Sequence, residues 1–252
     1  MNITQIRNAT VIIEYGGLRF LVDPMLGPRG SFPPFPMAKD KRRNPLEDLP
    51  FGIEDILRDI DAIIITHTHT DHLDQAALDA IPKSKKIFAQ DFKDKEMLTK
   101  HGFNNVEILG ENTKIGNVQL VKTKSKHGKF PLILIAGNTC GIVFMSDSEK
   151  RLYLTGDTIW YNGVKETIDI YKPEVIIVNA GGNKFNGFHH VIMNDDDVVK
   201  LHNYAPNADI VATHLEGVNH NTVTRKKLRQ TSVDNGFSKK LFIPNNGESI
   251  KL

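Results

Sequence analysis

Between residues 62 and 72 the chain passes directly from an apolar run, Ala62-Ile-Ile-Ile65, into Thr66-His-Thr-His-Thr-Asp-His72. The first part reads as a buried strand over 61–66, and the carboxyl ends of such strands are where α/β proteins place ligands. Side chains two apart on an extended or looped chain point the same way. His67 and His69 can therefore share one metal ion. A turn into a helix starting at Leu73 lets Asp71 and His72 address a second position. A polar loop of chance composition is the alternative, and it sits poorly behind a buried strand.

The rest of the chain supplies strand ends of the same kind. Strand 118–127 alternates, with Val121, Thr123, Ser125 and His127 on one face and Lys122, Lys124 and Lys126 on the other. If the lysines form a solvated edge, His127 faces inward at the strand's end. Strand 151–155 ends in Thr155-Gly156-Asp157, and strand 208–213 ends in Thr213-His214. A lone His214 would read as a core histidine; together with three other ligand-bearing strand ends it reads as a ligand.

Strands are also expected at 2–6, 9–15, 18–23, 86–90, 106–109, 131–136, 140–146, 175–180, 240–243 and 248–251. Gly16-Gly17 closes a tight hairpin between the second and third of these. Helices are expected at 53–60, 73–81, 91–101, 160–171, 195–204 and 222–235. Seven of the 12 prolines fall within 24–50, a density that excludes a helix or a central strand. Phe32, Phe35 and Met37 lie in that segment, which is either a lid over a pocket or a Pro-rich stretch packed on the surface. No linker divides the chain, so residues 1–252 are expected to form one domain with a Pro-rich insert or lid at 24–50.

Composition narrows the function classes. A chain of 252 residues that is 40% hydrophobic and 25% charged can bury a large core without staples. One cysteine, Cys140, excludes an internal disulfide and fits a reducing compartment. The net charge of +2 gives no reason to expect nucleic acid or an anionic membrane as a partner. There is no basic and apolar leader, and no apolar run approaches the roughly 18 residues of a membrane helix. The expectation is a cytoplasmic, soluble protein with a small-molecule substrate, for which a homo-oligomer is allowed. No Gly-x-Ser-x-Gly elbow, P-loop or His-Glu-x-x-His motif offers another hydrolase route.

His-x-His-x-Asp-His at 67–72, followed in order by His127, Asp157 after Thr-Gly, and His214, resembles the ligand pattern of the metallo-β-lactamase superfamily. The resemblance spans nearly the whole chain, including the opening hairpin that ends Leu21-Val-Asp-Pro24. It implies a four-layer αββα sandwich, two mixed β-sheets flanked by helices. It also implies two divalent metal ions, zinc or manganese, with His67, His69 and His127 on one, Asp71, His72 and His214 on the other, and Asp157 bridging. The Asp-Pro and Pro-rich segment ending Asn44-Pro-Leu-Glu-Asp-Leu-Pro50, and Gly181-Gly182 ahead of His189 and His190, are similar to the branch of ascorbate-phosphate lactonases. Here, however, Asn183–Phe188 intervenes before the histidines.

Two ions roughly 3.5–4 Å apart can hold a bridging hydroxide that attacks an ester, with a lactone of a small cytoplasmic metabolite as the first expectation. Asp71 would orient it and accept its proton. His190 or His189 would serve the leaving oxygen or hold the substrate, and Asp23 would hydrogen-bond a ligand imidazole. The rival expectations are a phosphodiesterase or nuclease using the same site, and a non-catalytic metal-dependent ligand-binding protein. His101 and His202 read as structural, Trp160 and Tyr161 as helix packing, and His220 has no assigned role.

Overall fold

The computed structural model describes residues 1–252, the side chain of Ile135 excepted. In chain order the first half contains β1 (Asn2–Arg7), β2 (Thr10–Tyr15), β3 (Leu18–Val22), α1 (Ile53–Leu57), β4 (Ala62–Ile65), α2 (Gln75–Ala80), β5 (Lys86–Ala89), α3 (Phe92–Lys100) and β6 (Val106–Ile108). The second half contains β7 (Thr113–Ile115), β8 (Val118–Lys124), α4 (Ile133–Ala136), β9 (Cys140–Met145), β10 (Leu152–Leu154), α5 (Asn162–Tyr171), β11 (Val175–Asn179), α6 (Asp195–Tyr204), β12 (Asp209–Thr213), α7 (Arg225–Asp234), β13 (Leu241–Phe242) and β14 (Ser249–Lys251). They build two seven-stranded mixed sheets, ordered β14-β1-β2-β3-β4-β5-β6 and β13-β12-β11-β10-β9-β8-β7.

The side-chain period of two explains the layers. Along β4, Ala62 and Ile64 enter the core between the sheets, where they join Ile13, Phe20, Phe88, Ile142, Phe144 and Ile177. Ile63 and Ile65 point the opposite way, toward Ile56 of α1, Leu78 of α2 and Leu98 of α3. The second sheet does the same, presenting Val143, Tyr153, Ile176, Val178 and Ile210 to Val164 of α5, Val198 and Leu201 of α6 and Leu228 of α7. Both faces of each sheet's central strands are thus buried, which is why these strands read as continuous apolar runs. The result is the αββα sandwich.

Several boundaries differ from the sequence reading. Residues 131–136 form no strand; Ile133–Ala136 is a single helical turn that Gly137 ends at φ 73°. A short apolar run does not distinguish helix from strand, and here no neighbouring strand pairs with it. β8 ends at Lys124, opposite Cys140, where β9 begins, so His127 lies on the following loop and not on the strand. Lys122 is not simply a solvated edge residue, because its Nζ donates to the Gln90 carbonyl. The short edge strand β7 was not expected at all; it pairs with β8 through a turn at Gly116. α1 stops at Leu57 instead of residue 60, ahead of Asp59 at positive φ. α2 and α7 each start later than expected, after the capping side chains of Asp74 and Thr224. No described helix is long and apolar enough to cross a membrane.

The Pro-rich segment carries no helix and only an isolated pairing of Phe32 with Asn44. Side chains hold it in place instead. Arg7, fully buried, donates to the carbonyls of Met25 at 2.6 Å, Gly27 at 2.8 Å and Glu47 at 3.0 Å. Burial lowers its pKa to about 10 against the pull of Asp74, so the guanidinium stays charged. Asn44 and Asn219 then bond reciprocally, Asn44 Nδ2 to Asn219 Oδ1 at 3.0 Å and Asn219 N to Asn44 Oδ1 at 2.8 Å. This ties the segment to the loop after β12. Arg7→Met should therefore cost about 2–4 kcal/mol of unfolding free energy, because it strands the buried carbonyls of Met25 and Gly27 and frees that of Glu47. Urea denaturation reads it directly, and a loss below about 1 kcal/mol would contradict the role given to Arg7.

Candidate metal centre

The candidate ligands come from loops at one end of both sheets. β3 is followed directly by Asp23, held at φ 47°, whose Oδ1 accepts the Thr66 backbone N–H at 2.7 Å and whose Oδ2 accepts the Thr66 hydroxyl at 2.7 Å. This carboxylate fixes the end of β4 and so the start of the His67–His72 loop. The backbone N–H groups of His72 and Leu73 both return to the His69 carbonyl at 2.8 Å, which turns the chain and separates the two pairs of ligands. Gly156 leads Asp157 in at φ 62°; a Cβ there would stand 2.2 Å from the Cys140 carbonyl oxygen. His214 is itself at φ 59°, with its N–H on the Asn8 carbonyl at 2.8 Å.

These loops bring together all seven residues proposed as ligands. His67, His69 and His127 form one group, His67, His72 and Asp157 a second, and Asp71, His72 and His214 a third, with the donor atoms of each group within 4.8 Å of one another. Asp157 stands between the groups. Its Oδ2 is 3.3 Å from His72 Nε2, 3.7 Å from His127 Nε2 and 3.9 Å from His67 Nε2, while its Oδ1 is 3.8 Å from His214 Nε2. Asp71 Oδ2 lies 3.4 Å from His214 Nε2. All but His69 are buried.

Hydrogen bonds on the far sides of the rings decide what the near sides offer. His72 Nδ1 donates to Asp23 Oδ2 at 2.8 Å, and His127 Nδ1 donates to the Val191 carbonyl at 3.0 Å. The Thr66 hydroxyl has already spent its proton on Asp23, so at 3.1 Å it accepts from His67 Nδ1. In their neutral forms all three rings therefore present an Nε2 lone pair to the centre. Ring nitrogens also crowd each other, with His67 Nε2 2.9 Å from His69 Nδ1 and His72 Nε2 3.2 Å from His214 Nε2, each pair needing a proton or a metal ion between its members. Imidazole nitrogens and carboxylates converging in a buried place are a donor set for cations, so the residues fit a metal centre.

The titration behaviour is divided. Burial opposes a charge on His72, but Asp157, Asp23 and Asp71 outweigh it and hold the ring well above the usual imidazole range, so a metal ion there would have to displace a proton from its Nε2, while its neighbours are held neutral. Burial, with His72 and His69 adding to it, holds His67 well below the usual imidazole range, and burial with His127 lowers His69 to about 4. Burial opposes ionisation of Asp157, but the surrounding imidazoles, His72 first, hold it well below the usual carboxylate range.

A cavity of about 390 Å³ opens over this centre, with His69, Asp71, His127 and Asp157 at its base and Phe35, Met37, Leu132, Phe185, Val191 and His220 around it. No lysine or arginine lines it among the described residues. Phe35 and Met37 of the Pro-rich segment are thus part of the wall. His190 and His189, expected near the substrate, are not among the lining residues. Residues 184–190 close on themselves through a Lys184–His190 pairing, and His190 Nδ1 is spent on the Gly182 carbonyl at 2.7 Å. That turn presents Phe185 to the cavity instead. Trp160 packs edge-on against Tyr204 at 5.8 Å, away from the cavity.

Three residues escaped the sequence reading. Asn179 donates to Asp157 Oδ1 at 2.6 Å, Asn8 donates to the Asp71 carbonyl at 3.0 Å, and His220 walls the cavity. Asn8 and Asn179 stand at the ends of strands, as the ligands do, which is the signal that could have found them. His220, in a loop, gave none.

Comparison with known proteins places this arrangement. Residues 18–215 match the family described as the beta-lactamase superfamily domain. The UPF0173 protein YddR of Bacillus subtilis is 43% identical over 251 residues, covering 99% of each chain. Among solved structures, an isothiocyanate hydrolase from Delia radicum gut bacteria superposes with a TM-score of 0.96 at 36% identity, over 100% of this chain and 99% of that one. A possible metal-dependent hydrolase from Veillonella parvula gives 0.97 at 35% identity with the same coverage.

If Asp23 serves to aim His72, Asp23→Asn should weaken metal binding about 10- to 100-fold while the fold survives. Competition against a chelator of known affinity measures it, and unchanged affinity would contradict the role.

Proposed function

The chain belongs to the β-lactamase superfamily, and from that premise we propose that it is a binuclear metal-dependent hydrolase of a small, uncharged, largely apolar substrate. The observation that carries this reading is the convergence of three overlapping ligand groups at Asp157 beneath an apolar cavity that no lysine or arginine lines among the described residues. In this reading His67, His69 and His127 hold one ion, Asp71, His72 and His214 the other, and Asp157 both. Five imidazoles among the seven ligands favour zinc, while the two carboxylates keep manganese open. Bound there, divalent ions would supply Lewis acidity and lower the pKa of water toward about 7.

The protein's own groups do the rest. Asp71 lines the cavity and is the proposed acceptor of the proton released by the attacking water. Phe35, Met37, Leu132 and Phe185 bind the apolar body of the substrate and exclude bulk water. Residues 1–252 act as one metallo-hydrolase domain, in which segment 24–50 supplies one wall.

Two substrate classes suit such a cavity. An isothiocyanate is apolar, and its central carbon is electrophilic; addition of water there and collapse release an amine and carbonyl sulfide. The likeness to an isothiocyanate hydrolase over the whole chain supports this class first. An uncharged lactone, expected from the sequence, is the second. A phosphorylated lactone or a phosphodiester has less support, because no lysine or arginine among the described residues lines the cavity to take the phosphate.

The test is turnover by the metal-reconstituted protein of benzyl isothiocyanate, a γ-lactone and bis(p-nitrophenyl) phosphate. Hydrolysis of the first or second is expected, lost in Asp157→Ala and His69→Ala proteins that remain folded. Near-normal turnover by either variant, or preference for the phosphodiester, would overturn the reading. Metal-dependent binding without any turnover would favour a non-catalytic binding protein.

A further inference from the structure

His220 is buried, its ring set between Phe35, with centroids 4.4 Å apart, and Phe185, stacked at 5.2 Å and 23°. Its Nε2 lies 3.0 Å from Asn183 Nδ2, and its Nδ1 has no protein partner. Which nitrogen carries the proton follows from groups that have only one role. The backbone N–H of Val218 can only donate, and it lies 3.0 Å from Asn221 Oδ1. The other terminal atom of Asn221 is then the amide nitrogen, which donates to the His214 carbonyl at 3.1 Å and to Asn183 Oδ1. Asn183 is left with its own NH₂ toward His220, so His220 Nε2 must accept. A neutral imidazole accepting at Nε2 carries its proton on Nδ1.

The relay therefore runs from one backbone N–H through two asparagines to set one tautomer, and it leaves a buried N–H without a partner. Leaving such a group unpaired is costly, and native structures keep few of them without a purpose. Burial also pushes the ring's pKa down to about 4, with Asp71 pulling against it, so the neutral form persists at neutral pH. The ring forms part of the cavity wall beside Asp71 and the apolar side chains.

We infer that His220 is the substrate-orienting hydrogen-bond donor of the cavity. Its Nδ1–H meets an acceptor heteroatom adjoining the electrophilic carbon of an uncharged substrate, and Asn183 and Asn221 are the positioning residues that fix its tautomer. No bond is made or broken by His220 itself. The inference deepens the hydrolase reading and takes its reaction from it, but the tautomer and the hydrogen bond are testable apart from turnover.

The protein is labelled with ¹⁵N-histidine, loaded with zinc and observed by NMR. His220 is expected as the Nδ1–H tautomer, and Asn183→Asp, which offers an acceptor to Nε2, is expected to move the proton to Nε2. Phenylacetamide, an unreactive apolar carbonyl compound, should shift the Nδ1–H resonance on binding. His220→Phe keeps the aromatic stack and should bind metal as the parent does, while kcat/KM for benzyl isothiocyanate or the γ-lactone falls about 10- to 100-fold. His220→Asn, whose amide nitrogen can replace Nδ1, should recover part of that loss. An Nε2–H tautomer in the parent, or full kcat/KM in folded His220→Phe, overturns the inference and leaves the hydrolase reading standing. If the parent turns over neither compound, the hydrolase reading fails, and an unmoved Nδ1–H resonance with phenylacetamide then overturns the inference separately.

Discussion

Imidazole nitrogens crowded together in a buried place repel unless a proton or a metal ion sits between them, and that constraint organises this protein's functional end. His67 and His69 face each other at 2.9 Å, His72 and His214 at 3.2 Å, with Asp157 between the groups. The surroundings take up the Nδ1 protons of three rings on the side away from the centre. Asp23, the Val191 carbonyl and the Thr66 hydroxyl each occupy the outer nitrogen of a ring. The fold can bear such crowding because the strands behind the ligands are buried on both faces and leave their ends little freedom to separate.

What the centre can act upon is decided by the loops above it. The Pro-rich segment is set by side-chain hydrogen bonds, chiefly those of Arg7 and of the Asn44–Asn219 pair, and it carries Phe35 to the cavity. The loop that contributes Asn219 also carries His220, so one set of hydrogen bonds joins the apolar wall to the His220 ring. A cavity without lysine or arginine among the described residues selects by exclusion of charge, and its reach toward a particular substrate lies in the apolar side chains.

Much of the centre was legible in the sequence because each ligand follows the end of a strand, where a polar residue is conspicuous after an apolar run. His67–His72 after Ile65, Asp157 after Gly156 and His214 after Thr213 all show it. His127 was found for a partly mistaken reason: the strand ends three residues earlier, and the loop, through the Val191 carbonyl, aims the ring. His189 and His190, expected beside the substrate, do not line the cavity, since the turn at 184–190 closes locally and presents Phe185 there. His220 could not be read, because its tautomer depends on Asn183 and Asn221, which meet it only through tertiary structure. The helical turn at 133–136 was missed because an isolated apolar run has no period to read.

The central claim is that these seven residues hold two ions, and elemental analysis of the protein after metal reconstitution and removal of excess tests it most directly. The account predicts about two zinc or manganese ions per chain. A value near zero under those conditions would mean that the converging imidazoles serve some other purpose, and the hydrolase reading would fall with the ligand assignment.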